Sequence, residues 1–176
     1  MNSRRKIVLI TGAESGIGKS TCKLFHNNGY KVIGTCLKKP NIISKKIEYH
    51  QIDITNNSDW KNLASINSIR GAKNMLAYAT SKSALISFTA SLALDLTKHN
   101  IRVNAVAPGA IDTPMLASFK KDLTLKEYEK RMQENHPIGR IGKPKEVASV
   151  IYFLASEAAS FMTGLTLPVD GGRSIR

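Results

Sequence analysis

The first apolar run of the sequence, Ile7 to Ile10, has no polar alternation and breaks at Thr11-Gly12. A run of β-branched and aliphatic residues of this length predicts a short central strand of a parallel sheet, covered on both faces. From Ile17 the period changes. Ile17, Thr21, Leu24 and Phe25 share one helical face, and Asn28-Gly29 supplies the stop before Tyr30. Lys31 to Thr35 (KVIGT) and Ile47 to Ile54 (IEYHQIDI) read as the second and third strands. Between them Lys38 to Lys46 reads as a loop, because Pro40 and Asn41 break any helix. These elements close a βαβ unit with the second strand beside the first and the third beyond it.

Asn56 to Ala64 has the polar cap and spacing of a starting helix, but the pattern ends within about two turns. Leu85, Phe88, Leu92 and Leu96 then mark a helical face that runs to Lys98, and Ile101 to Gly109 (IRVNAVAPG) is an apolar strand with a Pro-Gly stop. Phe119 to Asn135 is amphipathic, with Leu125, Tyr128 and Met132 on one side; it reads as a lid over a substrate or as a surface helix. Lys145 to Glu157, marked by Pro144 and carrying Val147, Ile151 and Leu154, is a clearer helix. Leu165 to Val169 is a last strand ending at Asp170-Gly171-Gly172. With no internal repeat or low-complexity tract, the alternation of strands and helices predicts one α/β domain over residues 1–176, built on a doubly wound parallel sheet.

The turn between the first strand and helix is where chemistry enters. Glycine at positions 12 and 16 lets the backbone turn sharply and approach a ligand, and Gly18 lets the helix pack closely on the strand. The helix N-terminus then faces a pyrophosphate. An acid at the end of the second strand would bind the adenosine ribose hydroxyls and repel a 2′-phosphate. Position 35 is a threonine, with Lys38 and Lys39 following, so NADP(H) is expected in preference to NAD(H), which stays possible.

Tyr78 and Lys82, four residues apart, emerge on one face if that stretch is helical. A neighbouring ammonium favours phenolate over phenol and brings proton exchange with a substrate oxygen closer to neutral pH. By spacing alone, however, Tyr-x-x-x-Lys is a common structural pairing.

Composition limits the alternatives. The 176 residues are 42% hydrophobic and 22% charged, as in ordinary globular domains, and no apolar run reaches membrane-spanning length, so a cytoplasmic location is the default expectation. Cys22 and Cys36 match no zinc or redox spacing and read as buried thiols. The histidines His26, His50, His99 and His136 are scattered singly, and no metal site is expected. Net charge is +13, with 11 basic against 4 acidic side chains in residues 1–61 and 15 against 9 in the remaining 115. The lysines are dispersed without aromatic interleaving, so a solvated surface is expected rather than nucleic-acid binding.

In order along the chain, TGAESGIG, the YATSK segment, IRVNAVAPGAIDTPM, the RIGKPKEVA segment and FMTGLTLPVDGG resemble the short-chain dehydrogenase/reductase family. Their flavour is that of the 3-oxoacyl carrier protein reductases. The resemblance covers most of the chain. It implies a Rossmann-like fold and hydride transfer between NADP(H) and a carbonyl or secondary alcohol of a small molecule, in a homo-oligomer. It further implies Tyr78 as general acid/base, with Lys82 favouring its ionised form while holding the nicotinamide ribose. Ser68, or less directly Ser65, would hydrogen-bond the reacting carbonyl. Cofactor contacts implied by the resemblance fall on Gly12, Ser15, Gly16, Ile17, Gly18, Thr35, Lys38, Asp53 and Ile54. Beyond Tyr78 and Lys82 they continue at Pro108, Gly109, Ile111 and Thr113, with Thr113 and the backbone at Ile111 meeting the carboxamide.

One departure from the family pattern is large. Family members place a helix, a strand with an NNAG motif, a helix with an active-site asparagine and a fifth strand between the positions of Asp53 and Ser68. Only 14 residues separate these two here. Two average helices and two strands with loops need roughly 45 to 60 residues. The expected fold is therefore a doubly wound sheet reduced by loss of the fourth and fifth strands, which leaves unpaired backbone beside strand one. Either the Ile101 to Val106 strand slides across to pair with Ile7 to Ile10, or another chain fills the slot. A second reading follows: an internally deleted, catalytically weak member that binds nucleotide or a partner chain.

Overall fold

The computed structural model describes residues 6–36, 47–51, 76–118 and 124–176. They fall into two compact units, Met1–Lys61 with Pro144–Tyr152, and Asn62–Lys143 with Phe153–Arg176.

In the first unit, strand β1 (Ile7–Ile10) leads through a glycine turn into helix α1 (Gly16–Asn27), and strands β2 (Lys31–Cys36) and β3 (Ile47–Gln51) follow. All three strands are parallel in the order β1-β2-β3, with Ile7 opposite Lys31 and Val32 opposite Ile47. The expected placement of the second strand between the first and third is met. Gly29, at φ +82°, ends α1 in the left-handed conformation that glycine adopts without cost. Ile10, Ala13, Cys22, Phe25 and Val32 form the buried core, joined by Tyr152 from helix α5 (Pro144–Ala155). Phe25 meets the edges of Tyr30 and Tyr152 at centroid distances of 5.0 and 5.1 Å, the arrangement favoured by aromatic quadrupoles.

One expectation fails at β1. The strand is not covered on both faces: Ile10 is buried, whereas Ile7 and Leu9, on the opposite side of the pleat, are each 64% exposed. A single βαβ crossover covers only one face. Covering the other takes helices from beyond the point where strand order reverses, and the sequence is short there. Among the described residues β1 pairs with β2.

Cys22 and Cys36 are buried thiols outside any disulfide, as expected. Burial pushes the Cys22 thiol from 9.0 up to about 11. Because both are buried, both thiols should resist a thiol-reactive dye at pH ~8 in the native protein and react fully in denaturant. A raised thiol pKa stabilises the fold below the unfolded value. This stability should drain away as pH rises from about 9 through about 11, measurable as a falling melting temperature over that window.

The second unit begins with helix α2 (Leu76–Thr97), followed by strand β4 (Ala105–Pro108), helix α3 (Pro114–Ser118) and helix α4 (Leu125–Asn135). It closes with strand β5 (Thr166–Val169), parallel to β4 with Ala105 opposite Thr166. The expected strand from Ile101 starts only at Ala105, because side chains take over the pairing before it. Asn104 donates through Nδ2 to the Met162 carbonyl (2.9 Å) and accepts the Leu165 N–H at Oδ1 (3.1 Å). The expected amphipathic helix from Phe119 begins, among described residues, at Thr124. There Thr124 and Glu127 form a reciprocal capping box, and the hydrogen bonds from Thr124 hold the Glu127 carboxyl below its usual range.

Along α2 the buried stripe is Lys82, Leu85, Thr89 and Ala93, not the expected Leu85, Phe88, Leu92 and Leu96; Phe88 is 52% exposed. Size decides here. A Cβ on Gly164 would lie 3.6 Å from the Ala93 Cβ, so this side of the helix takes a backbone at close range, where a phenyl ring has no room.

Candidate active site

The turn from β1 to α1 is a built cradle. Gly12 (φ +64°) and Gly16 (φ +51°) adopt conformations that cost other residues strain, and a Cβ on Gly18 would overlap the Gly12 carbonyl oxygen. The Ala13 N–H donates to the Thr35 carbonyl at 2.9 Å, tying the turn to the C-terminal end of β2. Gly34 permits this approach, since its Cβ would stand 2.7 Å from that of Ala13. Ser15 precedes α1 without capping it through its side chain, and the first turn carries no acid, so the N–H groups near Ile17 and Gly18 are open to an anion. One polar atom awaits a partner: the Glu14 Oε2 is buried without a hydrogen bond. The cradle fits a dinucleotide, and Thr35, buried at its edge, places no charge there.

In the second unit α2 carries both Tyr78 and Lys82. Tyr78 is partly exposed, whereas Lys82 is buried and desolvation lowers its pKa. The Lys82 Nζ lies 5.4 Å from the Tyr78 ring centroid, within cation–π range, so the i, i+4 spacing does bring the two together.

From the end of β4 the chain runs through Pro108, Gly109, Ala110, Ile111 and Asp112, and backbone hydrogen bonds clamp it from two sides. The Gly109 N–H donates to the Val169 carbonyl (3.1 Å), and the Asp112 N–H donates to the Gly142 carbonyl (2.9 Å). The Ala110 carbonyl accepts from the Gly142 N–H (2.9 Å). Gly109 has to be glycine, because a Cβ would come 2.8 Å from the Asp170 Cα. Thr113 is placed at the start of α3, where its Oγ1 accepts the Leu116 N–H at 3.4 Å, a capping role in its own right. Ser65, Ser68, Lys38, Lys39, Asp53 and Ile54 lie outside the described residues. Among the described residues no cluster of metal-ligating side chains occurs, and no helix is long and apolar enough to cross a membrane.

Three side chains that sequence patterns passed over hold this framework. Arg102 donates to the carbonyls of Leu154 (2.8 Å), Met162 (3.1 Å) and Ser156 (3.1 Å), placing a cation at the C-terminal end of α5. Asp170 accepts the N–H groups of Gly172 (3.0 Å) and Ser174 (2.7 Å). His136, 2% exposed, binds the Ala110 N–H through Nε2 at 3.3 Å. Their partners lie tens of residues away or in irregular turns, so no local periodicity announces them.

A parallel sheet whose first crossover is a glycine cradle, with a tyrosine–lysine pair on a later helix, defines a Rossmann-type oxidoreductase. The chain belongs to the short-chain dehydrogenase/reductase family: residues 6–65 match the family model described as short chain dehydrogenase, and residues 52–174 match that described as enoyl-(acyl carrier protein) reductase. It is 31% identical to the 3-oxoacyl-(acyl-carrier-protein) reductase FabG of Thermotoga maritima over 248 residues, covering 98% of this chain and 99% of that protein. That span exceeds the 176 residues here by 72, so at least this many positions of the relative have no counterpart. The two family matches overlap at residues 52–65. Against the FabG of Aquifex aeolicus the identity is 40% over 139 residues, covering 79% of this chain but about half of the relative, 52%. Among solved structures, the aldohexose dehydrogenase of Thermoplasma acidophilum superposes with a TM-score of 0.84 at 30% identity, over 98% of this chain and 95% of that one.

Proposed function

We propose that the chain is an NADP(H)-preferring short-chain dehydrogenase/reductase, a single dinucleotide-binding domain in a cytoplasmic homo-oligomer, acting on a small-molecule ketone or secondary alcohol. The observation that carries this is the Tyr78–Lys82 pair, held together on one turn of α2 with the lysine buried. The bound nicotinamide supplies or accepts the hydride at the substrate carbon. The Tyr78 hydroxyl gives the proton to the carbonyl oxygen in reduction and recovers it in oxidation, and Ser68 hydrogen-bonds that oxygen. Lys82, buried on α2, donates hydrogen bonds to the nicotinamide ribose hydroxyls and favours the ionised form of Tyr78 in the transfer. Gly12, Ser15, Gly16, Ile17 and Gly18 hold the pyrophosphate, Asp53 and Ile54 the adenine, and Pro108, Gly109, Ile111 and Thr113 the carboxamide.

The preference for NADPH rests on the uncharged Thr35 with Lys38 and Lys39 following it in the sequence, and the Glu14 carboxylate in the glycine turn opposes it. Melting temperatures in NADPH, NADH and buffer test both the site and the preference, since a ligand that binds only the folded state raises the transition. NADPH should give the larger rise. Lys38→Ala should cost about 1–3 kcal/mol of NADPH affinity and little for NADH, and Glu14→Ser should strengthen NADPH selectively. Equal shifts with the two cofactors would sink the preference.

A second reading, nucleotide or partner-chain binding with little turnover, is favoured by β1. It stands at the edge of its sheet with Ile7 and Leu9 exposed, as a missing fourth strand would leave it. Family-like rates of carbonyl reduction from a stable monomer would overturn this reading. Cofactor binding beside slow turnover would favour it.

A further inference from the structure

His136 is a buried imidazole that the proposed chemistry does not use, and its two ring nitrogens are committed in opposite senses. A backbone N–H can only donate and a carbonyl oxygen can only accept. The Ala110 N–H, 3.3 Å from Nε2, therefore requires a lone pair there, while the Met132 carbonyl, 2.6 Å from Nδ1, requires a proton there. The ring is thus neutral and fixed as the Nδ1–H tautomer. As a plain core residue it would do no more than cap α4, whose terminal carbonyls include that of Met132.

What it grips at Nε2 goes further. Ala110 lies between Gly109 and Ile111, in the loop that carries the proposed carboxamide contacts. The Ala110 carbonyl accepts the Gly142 N–H, and in a trans peptide the C=O and the following N–H point opposite ways. The Ile111 N–H, in the same peptide plane, is thereby aimed away from Gly142, and it takes part in none of the hydrogen bonds that clamp the loop. The preceding peptide plane, which carries the Ala110 N–H, is held by His136. Pro137 and Ile138 extend the clamp: the Ile138 N–H donates to the Gly171 carbonyl at 3.1 Å, and a Cβ on Gly172 would stand 3.2 Å from the Pro137 Cγ.

We propose that His136 is a positioning residue for nicotinamide binding: through the Ala110 N–H it sets the orientation of the loop so that the Ile111 N–H is presented to the carboxamide. This rests on the dinucleotide reading above. Two ligands separate the two, NADPH and ADP-ribose, the second lacking the nicotinamide. His136→Leu should weaken NADPH about 10-fold, the worth of roughly one hydrogen bond, and leave ADP-ribose affinity unchanged. His136→Gln, which can accept from Ala110 and donate to Met132, should recover most of the loss. A parallel fall for both ligands, or no change for either, overturns the proposal while leaving the dinucleotide reading intact. If the wild-type chain binds neither ligand, both fail together. Should His136→Leu not fold, the wild-type protein still decides. Nitrogen NMR should show Nε2 unprotonated and the Ala110 amide protected from hydrogen exchange, whereas a protonated Nε2 or a freely exchanging Ala110 amide overturns the inference.

Discussion

Gly18→Ala is expected to abolish detectable cofactor binding and to destabilise the first unit, and Gly12→Ala to do much less. The two glycines are constrained in different ways. A Cβ at position 12 meets nothing within 4 Å, so its cost is that of a left-handed conformation at φ +64°, about 1–2 kcal/mol. A Cβ at position 18 overlaps the Gly12 carbonyl oxygen and lies 2.8 Å from its carbon, both backbone atoms that no rotamer change can move aside. Relief requires α1 to shift away from the turn, disturbing the N–H groups proposed to hold the pyrophosphate; overpacking of this kind costs about 1–3 kcal/mol. The measurement is a pair of melting curves for each variant, with and without NADPH. A Gly18→Ala chain whose melting temperature still rises with NADPH as in the wild type would show that the turn is not the cofactor cradle.

Sequence pattern was sufficient wherever a local period and a local stop coincide. The run Ile7 to Ile10, the face beginning at Ile17 and the Asn28-Gly29 stop correspond to β1, α1 and the turn into β2 within a residue or two. Tyr78 and Lys82 were legible for the same reason, because a spacing of four on one helix is a local fact. What failed depended on partners elsewhere in the chain. Apolar residues throughout β1 imply two covered faces only if the chain supplies both covering layers. The stretch between Asp53 and Ser68 is too short to supply its share, and Ile7 and Leu9 remain exposed. Phe88 fits a helical face by period, yet Thr89 and Ala93 are the buried residues there, with Gly164 approaching the helix at Ala93. Asn104 and His136 are single polar residues whose bonds reach Met162 and Ala110, 58 and 26 residues away. Nothing in the local pattern distinguishes them from surface positions.

Tyr78→Phe is expected to remove carbonyl reduction while leaving NADPH affinity nearly unchanged. Phenylalanine keeps the ring that the Lys82 Nζ overlies at 5.4 Å and removes only the hydroxyl, so the packing of α2 and the cofactor contacts survive. The lost function is proton transfer, typically worth 10²–10⁴-fold in rate, about 3 to 5 kcal/mol of barrier. Lys82→Met should differ in kind, harming cofactor binding as well as turnover, because this lysine is proposed to hold the ribose. Its effect on the fold separates the two roles further. Burial lowers the folded-state pKa of Lys82 below 10.5, so between that lowered value and 10.5 the unfolded chain binds more protons and folding gains stability as pH rises. Lys82→Met abolishes that gain, and the difference in stability between wild type and variant should therefore change sign or narrow on going from neutral pH toward about 10.5. Tyr78→Phe turning over at the wild-type rate would remove Tyr78 as the proton donor. A variant without turnover whose NADPH titration overlays that of the wild type would leave the tyrosine as the group that moves the proton.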